Sequence, residues 1–238
     1  MDQCVAMQQT TDGGYILAGN SESTNGDVTV NQGSNDVWLV KTDAAGTIVW
    51  QKSYGGSSYE YAYSVLQTSD GGYIMAGSTG SNNGDVTGNH GSNDFWVVKT
   101  DAAGVLQWQK CYGGTSQDIA RSIQPTSDGG YIICGGTGSS DGDVTGYKGS
   151  NDIWVIKINA TGTIGWQKCL GGAHIDEGYK AIQTADGGYM VGGYSSVGGG
   201  DITGNHGIED FWVVRLDASG TIVWQKSLGG PGEDRAYA

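Results

Sequence analysis

From Glu60 onward, apolar and polar residues alternate through EYAYSVLQT, stop at SDGG and resume in YIMAGST. A long polar loop follows, then DFWVVKTD, AAG and VLQWQKCYGG. Four short runs rich in β-branched and aromatic residues, separated by glycine-bearing turns, predict four β-strands. Asp70-Gly71-Gly72 supplies the positive φ angles of a tight hairpin turn, because glycine has no Cβ to clash. DAAGV, Asp101 to Val105, predicts a type I turn ending in a left-handed glycine, its amides capped by the aspartate side chain. Counting outward from that turn sets Val98 opposite Trp108 and Trp96 opposite Lys110, so both tryptophans would share one face of the sheet.

The pattern recurs four times. GDVTVNQGSNDVW begins at Gly26, GDVTGNHGSNDFW at Gly84, GDVTGYKGSNDIW at Gly142 and GDITGNHGIEDFW at Gly200, each 58 residues after the last. Trp38, Trp96, Trp154 and Trp212 keep that step, as do Trp50, Trp108, Trp166 and Trp224. A fixed long period marks a solenoid, a propeller or an array. One four-stranded unit cannot cover both its faces, whereas stacking it on identical neighbours can. The expected architecture is therefore all-β: a β-propeller of four-stranded blades, one domain over residues 1–238, with repeats 1–58, 59–116, 117–174 and 175–232. Residues 233–238 restart the pattern as a truncated fifth repeat. A four-bladed ring is favoured because closure removes exposed sheet edges. A segment of a longer array, or half of an eight-bladed homodimer, are the alternatives.

Composition agrees with a folded repeat protein. The chain has 44 glycines and only two prolines, but its 37% hydrophobic residues are too many for a disordered tail. The net charge is −13, and 20 of the 25 acidic residues occupy five recurring positions, so most belong to turns and loops copied by duplication. Phosphate backbones demand clustered Lys and Arg, which excludes nucleic acid as the expected partner. No run approaches the apolar length of a membrane span. MDQCVAMQQT has neither the charged start nor the apolar run of a secretory signal.

The loop that opens at Gly84 carries the candidate chemistry. Asp27, Asp36, Asp85, Asp94, Asp143, Asp152, Asp201 and Asp210, with neighbouring Thr and Asn, offer the hard oxygens that calcium takes. Their spacing fits neither an EF-hand nor a nonapeptide repeat. The alternative is that Asp and Asn here hydrogen-bond nearby amides and hold a loop that lacks ladder partners. His90 and His206 share a loop position held by Gln32 and Lys148 in the other repeats, and only His174 lies elsewhere, so a zinc site is not expected. Asn89, His90, Asn205 and His206, with Tyr59 and Tyr61 in a tyrosine-rich strand, are the candidate ligand-binding residues, since tyrosine faces beside polar loops suit glycans. Packing between blades is the alternative role for each tyrosine.

Cys4, Cys111, Cys134 and Cys169 show no metal-ligand spacing, and equivalent positions on adjacent blades are usually too far apart for a disulfide. The polar residues that break the repeat, Glu22, Arg121, Asp141, Lys148, His174, Glu177, Lys180, Glu209 and Glu233, make no nucleophile triad or carboxylate pair recognisable by sequence.

IICGG at Ile132 to Gly136 and MVGGY at Met190 to Tyr194 resemble the second strand of a kelch repeat. NDIWVIKI and EDFWVVRL resemble its third strand, and GWQK or VWQK its fourth. The whole unit is similar to tandem repeats in large secreted surface proteins of Bacteroidetes-type bacteria, which often carry type IX sorting domains. Leu17-Ala18-Gly19 and Met75-Ala76-Gly77 depart from the kelch double glycine, and the 14-residue loop is longer than usual. DxxGxxxW resembles the tryptophan-docking motif of quinoprotein propellers, one residue short. The resemblance implies an extracellular or cell-surface setting. The expected function is a non-enzymatic propeller that presents Asp/Asn/Gly loops for adhesion or for binding a glycan or surface protein. A propeller enzyme (lyase, hydrolase or quinoprotein-like) and a spacer in a surface filament are the competing readings.

Overall fold

A computed structural model describes residues 1–235 and 237. Among them the chain forms sixteen strands and no helix, in two compact units, Met1–Tyr112 and Gly113–Ala238. The first unit holds β1 (Asp2–Gln9), β2 (Tyr15–Ser21), β3 (Asp36–Thr42) and β4 (Ile48–Tyr54) in one sheet. Its second sheet holds β5 (Glu60–Gln67), β6 (Tyr73–Thr79), β7 (Asp94–Thr100) and β8 (Leu106–Tyr112). The second unit repeats the arrangement with β9 (Asp118–Pro125), β10 (Tyr131–Thr137), β11 (Asp152–Ile158) and β12 (Ile164–Leu170). Its other sheet is β13 (Asp176–Gln183), β14 (Tyr189–Ser196), β15 (Glu209–Leu216) and β16 (Ile222–Leu228). Every sheet is antiparallel with its strands in chain order, which is the blade of a β-propeller.

Both turn expectations hold in their chemistry. Asp70 Oδ1 accepts from the Gly72 amide at 3.0 Å, and Gly71 has φ of 82°. Gly72 serves another purpose: a Cβ there would strike the Thr100 carbonyl and the Lys99 ammonium. At DAAGV, Asp101 Oδ1 caps the Ala103 and Val105 amides at 2.9 and 2.8 Å.

The register expectation fails by one residue. A bulge between Lys99 and Thr100 pairs Trp96 with Cys111 and Lys99 with Trp108. Because side chains alternate with period two, that single step sends Trp96 and Trp108 to opposite faces. The consequence is visible in packing. Trp96 joins a core with Ile16, Ala18, Val37 and Leu39 of the preceding sheet, whereas Trp50, the repeat equivalent of Trp108, meets Tyr73 of the following sheet edge-on at 5.6 Å. The second unit copies this: Trp212 packs with Ile132, Ile153 and Val155, and Trp166 meets Tyr189 at 5.4 Å. Trp96, Trp154 and Trp212 are fully buried, each removing about 150–250 Å² from water.

Close approach decides which glycine the second strand needs. Gly19, Gly77, Gly135 and Gly193 share one repeat position, and a Cβ on any of them would overlap a carbonyl of the first strand. The second glycine of each pair is not equivalent: Gly192 has no such contact, whereas a Cβ on Gly136 would strike the Glu177 carboxylate and the Asn151 amide, so only the position of Gly19, Gly77, Gly135 and Gly193 requires glycine in every repeat. Gly77→Ala is expected to cost about 3 kcal/mol or more through forced displacement of β5. Gly71→Ala, which meets no atom but must hold positive φ, is expected to cost about 1 kcal/mol. Urea denaturation of the two variants reads the difference.

Candidate functional site

The loop between the second and third strands of each sheet is tied down at two points, and in the second, third and fourth repeats at a third. The first tie starts in the core. The indole N–H of Trp96 donates to Gln109 Oε1 at 2.9 Å, and the Gln109 amide donates to Thr87 Oγ1 at 2.6 Å. Trp38, Gln51 and Thr29 repeat the chain at 2.8 and 2.7 Å. Trp154 and Trp212 donate to Gln167 and Gln225, which in turn reach Thr145 and Thr203.

The second tie is a cap inside the loop. Asp36, Asp94, Asp152 and Asp210 accept the backbone N–H of Gln32, His90, Lys148 and His206 at 2.6, 3.0, 2.8 and 2.8 Å. Asn89 Oδ1 accepts from the Gly91 amide at 2.8 Å while its Nδ2 donates to the Thr79 carbonyl at 3.0 Å; Asn205 does the same to Gly207 and Ser195. The third tie reaches the preceding repeat. The Asp85, Asp143 and Asp201 amides donate to the carbonyls of Gly55, Gly113 and Gly171 at 2.8 to 3.0 Å.

The eight aspartates expected as calcium ligands are divided in place. Asp36, Asp94, Asp152 and Asp210 are fully buried, Asp27 is exposed, and Asp85, Asp143 and Asp201 are half-buried. Asp85 accepts from Gln32 Nε2 at 2.6 Å, and Asp201 pairs with Lys148 at 2.9 Å. Among the described residues no three Asp, Glu, His or Cys side chains are grouped so as to hold a metal ion. His90 and His206 lie against Asp94 and Asp210 with their Nδ1 atoms at 2.6 and 3.0 Å. Tyr59 is 49% exposed, and Tyr61 stacks on Tyr63 at 6.5 Å. All four cysteines are free thiols, and Cys111, Cys134 and Cys169 are buried.

Carboxyls from successive repeats converge at the joints. Asp36 Oδ1 and Glu60 Oε2 both lie within 2.6 Å of the point where a Cβ on Gly55 would stand. Asp210 and Asp234 converge likewise on Gly229. Oδ1 of Asp36, Asp152 and Asp176 is buried without a hydrogen-bond partner. Burial, with Glu60 and Asp85 adding like charge, raises Asp36 to about 6. Burial likewise raises Asp152 to about 6 and Asp176 to about 7; the charge of Asp201 adds to the first and that of Asp152 to the second, while Lys148 opposes both.

A ladder invisible to sequence reading supports the other end of each sheet. Lys41, Lys99 and Lys157 are buried on the third strand and reach Asp12, Asp70 and Asp128 at 2.9 Å. Arg215 replaces them on Asp186 at 2.6 Å. The Thr68 and Thr126 hydroxyls, then these lysines, draw Asp70 and Asp128 down to about 2. The non-repeating residues also find partners: Arg121 with Glu177 at 3.0 Å, and the N-terminus with Glu22 at 3.0 Å.

Blades joined through such clasps define the class: a repeat protein built of β-propeller sheets. No family model matches the chain. The chain is similar to the regulatory protein FlaEY of Caulobacter vibrioides, 32% identical over 167 residues. The match covers 63% of this chain and spans 17% of the length of that relative. Among solved structures, the Pan2 WD40 domain of Neurospora crassa is similar at a TM-score of 0.49 and 12% identity, over 95% of this chain and 66% of that one. Sqt1 of Chaetomium thermophilum follows at 0.41 and 12%, over 99% and 63%.

Two outcomes are expected. Gln109→Leu strands the buried Trp96 N–H and releases Thr87, which should cost about 1–3 kcal/mol in urea denaturation. The second concerns pH. Acids that hold protons more tightly folded than unfolded stabilise below their unfolded pKa and lose that contribution as pH rises through the folded one. For Asp36, Asp152 and Asp176 the loss runs from about pH 4 to pH 7. Asp70 and Asp128 act oppositely, losing their contribution as pH falls from about 4 towards 2. Stability should therefore peak near about pH 4 to 5, and Asp36→Asn should flatten the slope above it. A maximum near neutrality would contradict this.

Proposed function

We propose that the chain is a non-enzymatic binding module whose loops present a fixed surface to a protein partner at or outside a bacterial cell surface. One observation carries the reading. The polar residues common to the loops hold them in shape, and the position that varies, Gln32, His90, Lys148 and His206, is exposed in every repeat while each of these side chains also touches a loop aspartate. Val30 and Ile208, 53% and 60% exposed, vary in the same way. A rigid frame with changeable tips is how binding proteins place specificity on loops. Paired tips within each unit suit a macromolecular surface better than a single sugar ring, which asks for polar groups converging on one pocket. The likeness of the repeat to those of bacterial surface proteins supports the setting. The bacterial relative's name, a regulatory protein, supports a role in binding over one in catalysis.

The test compares the wild-type chain with His90→Ala/His206→Ala against panels of surface proteins and glycans. At least a tenfold loss of affinity for a protein ligand, about 1.4 kcal/mol, with an unchanged melting temperature is expected. Retention on glycans alone would replace the protein partner by a sugar, and unaltered protein binding would remove the loops from the reading. Self-capped loops further require that melting be the same in millimolar calcium as in chelator, since an ion that binds only the folded chain must raise it.

A further inference from the structure

Tyr54 ends the fourth strand of the first sheet and is 4% exposed. Its hydroxyl donates to the Gly104 carbonyl in the last hairpin of the next sheet, at 2.5 Å. The phenol therefore bridges two sheets of the first unit and fills the space between them. Burial, with Asp85 and Asp101 nearby, holds that phenol well above its usual pKa, so it stays a donor. At the equivalent joint of the second unit the tyrosine is replaced by Leu170. Leucine has neither the reach of a phenol ring nor its hydroxyl. Beside Leu170 a cavity of about 460 Å³ opens, and its wall includes Gly220, the repeat equivalent of Gly104.

We propose that this cavity is a binding site for a para-hydroxyphenyl group. Tyr54 shows what the same joint accommodates in the first unit. Leu170 and Ile222 offer the ring an apolar wall, and the Gly220 turn offers the carbonyl that Tyr54 uses in the first unit. The polar side is built as well. Lys148 is fixed by Asp201 at 2.9 Å and by the Cys169 carbonyl at 2.7 Å, and both Lys148 and Asp201 line the cavity. An ammonium held at the rim attracts the electron-rich face of an aromatic ring. The volume lies within the range of about 300–1,000 Å³ usual for small-ligand sites. In the remaining repeats this rim position is Gln32, His90 or His206, so the pairing of lysine with the missing tyrosine belongs to one joint of the second unit. Such a group has two sources, a free phenolic compound or a tyrosine side chain of another polypeptide.

The experiment titrates p-cresol and N-acetyl-tyrosinamide into the whole chain, following amide chemical shifts and crystal soaks. Saturable binding of one equivalent of p-cresol beside Leu170 is expected. Leu170→Tyr should abolish it, at least tenfold, while raising the melting temperature. Tyr54→Leu should lower the melting temperature and create a second equivalent site that p-cresol rescues, which keeps the test open if the first variant folds poorly. Binding of both probes assigns the source to a polypeptide tyrosine, and binding of p-cresol alone assigns it to a free phenol. The absence of saturable p-cresol binding, or binding that survives Leu170→Tyr unchanged, overturns the proposal.

Discussion

A buried indole cannot leave its N–H unpaired, and most of the arrangement of this chain follows from how that demand is met. Desolvating a donor without a partner costs more than a typical hydrogen bond returns. Here the partner is a glutamine on the neighbouring strand, and the glutamine's own amide needs an acceptor in turn. It finds one in the threonine of the long loop. Core packing, strand pairing and loop position are thereby linked in one chain of contacts, and duplication has copied the link four times.

The other end of the loop is governed by charge. Burying these carboxyls at the joints is costly when they are ionised, and the raised pKa values of Asp36, Asp152 and Asp176 express chiefly that burial, with like charge from neighbouring carboxylates adding to it. Lys148 shows one remedy, a cation supplied by the chain. The lysine ladder on Asp12, Asp70 and Asp128 sits at the opposite extreme, with opposite charges close together and partly dry. The two kinds of site give the molecule contrary responses to acid, and the recurring acids are better understood through these local settings than through the net charge.

The strands were legible in the sequence because alternation and glycine turns are local signals. Asp101 capping its own hairpin was legible for the same reason. The register was not, since a bulge at Lys99 adds one residue without any marker in DAAGV, and that one residue moves Trp108 to the other face. The loop aspartates could be recognised as recurrent, but not as caps and joint residues, because Asp36 meets Glu60 only when two repeats pack. Lys41, Lys99 and Lys157 lie 29 residues from their acids and left no periodic hint of pairing. The change from SYGG and CYGG to CLGG at Leu170 was in plain view, yet it acquires meaning only beside the joint that Tyr54 fills.

The eight tryptophans differ in more than position. Trp96, Trp154 and Trp212 are dry, whereas Trp224 is 43% exposed and Trp50 is half-buried with its indole bonded to the Ala102 carbonyl of the next sheet. Their fluorescence will therefore be composite, with blue emission from the first set and redder, quenchable emission from the second. Parting of adjacent sheets and melting of the sheets themselves would then leave separate spectral signatures in an unlabelled protein.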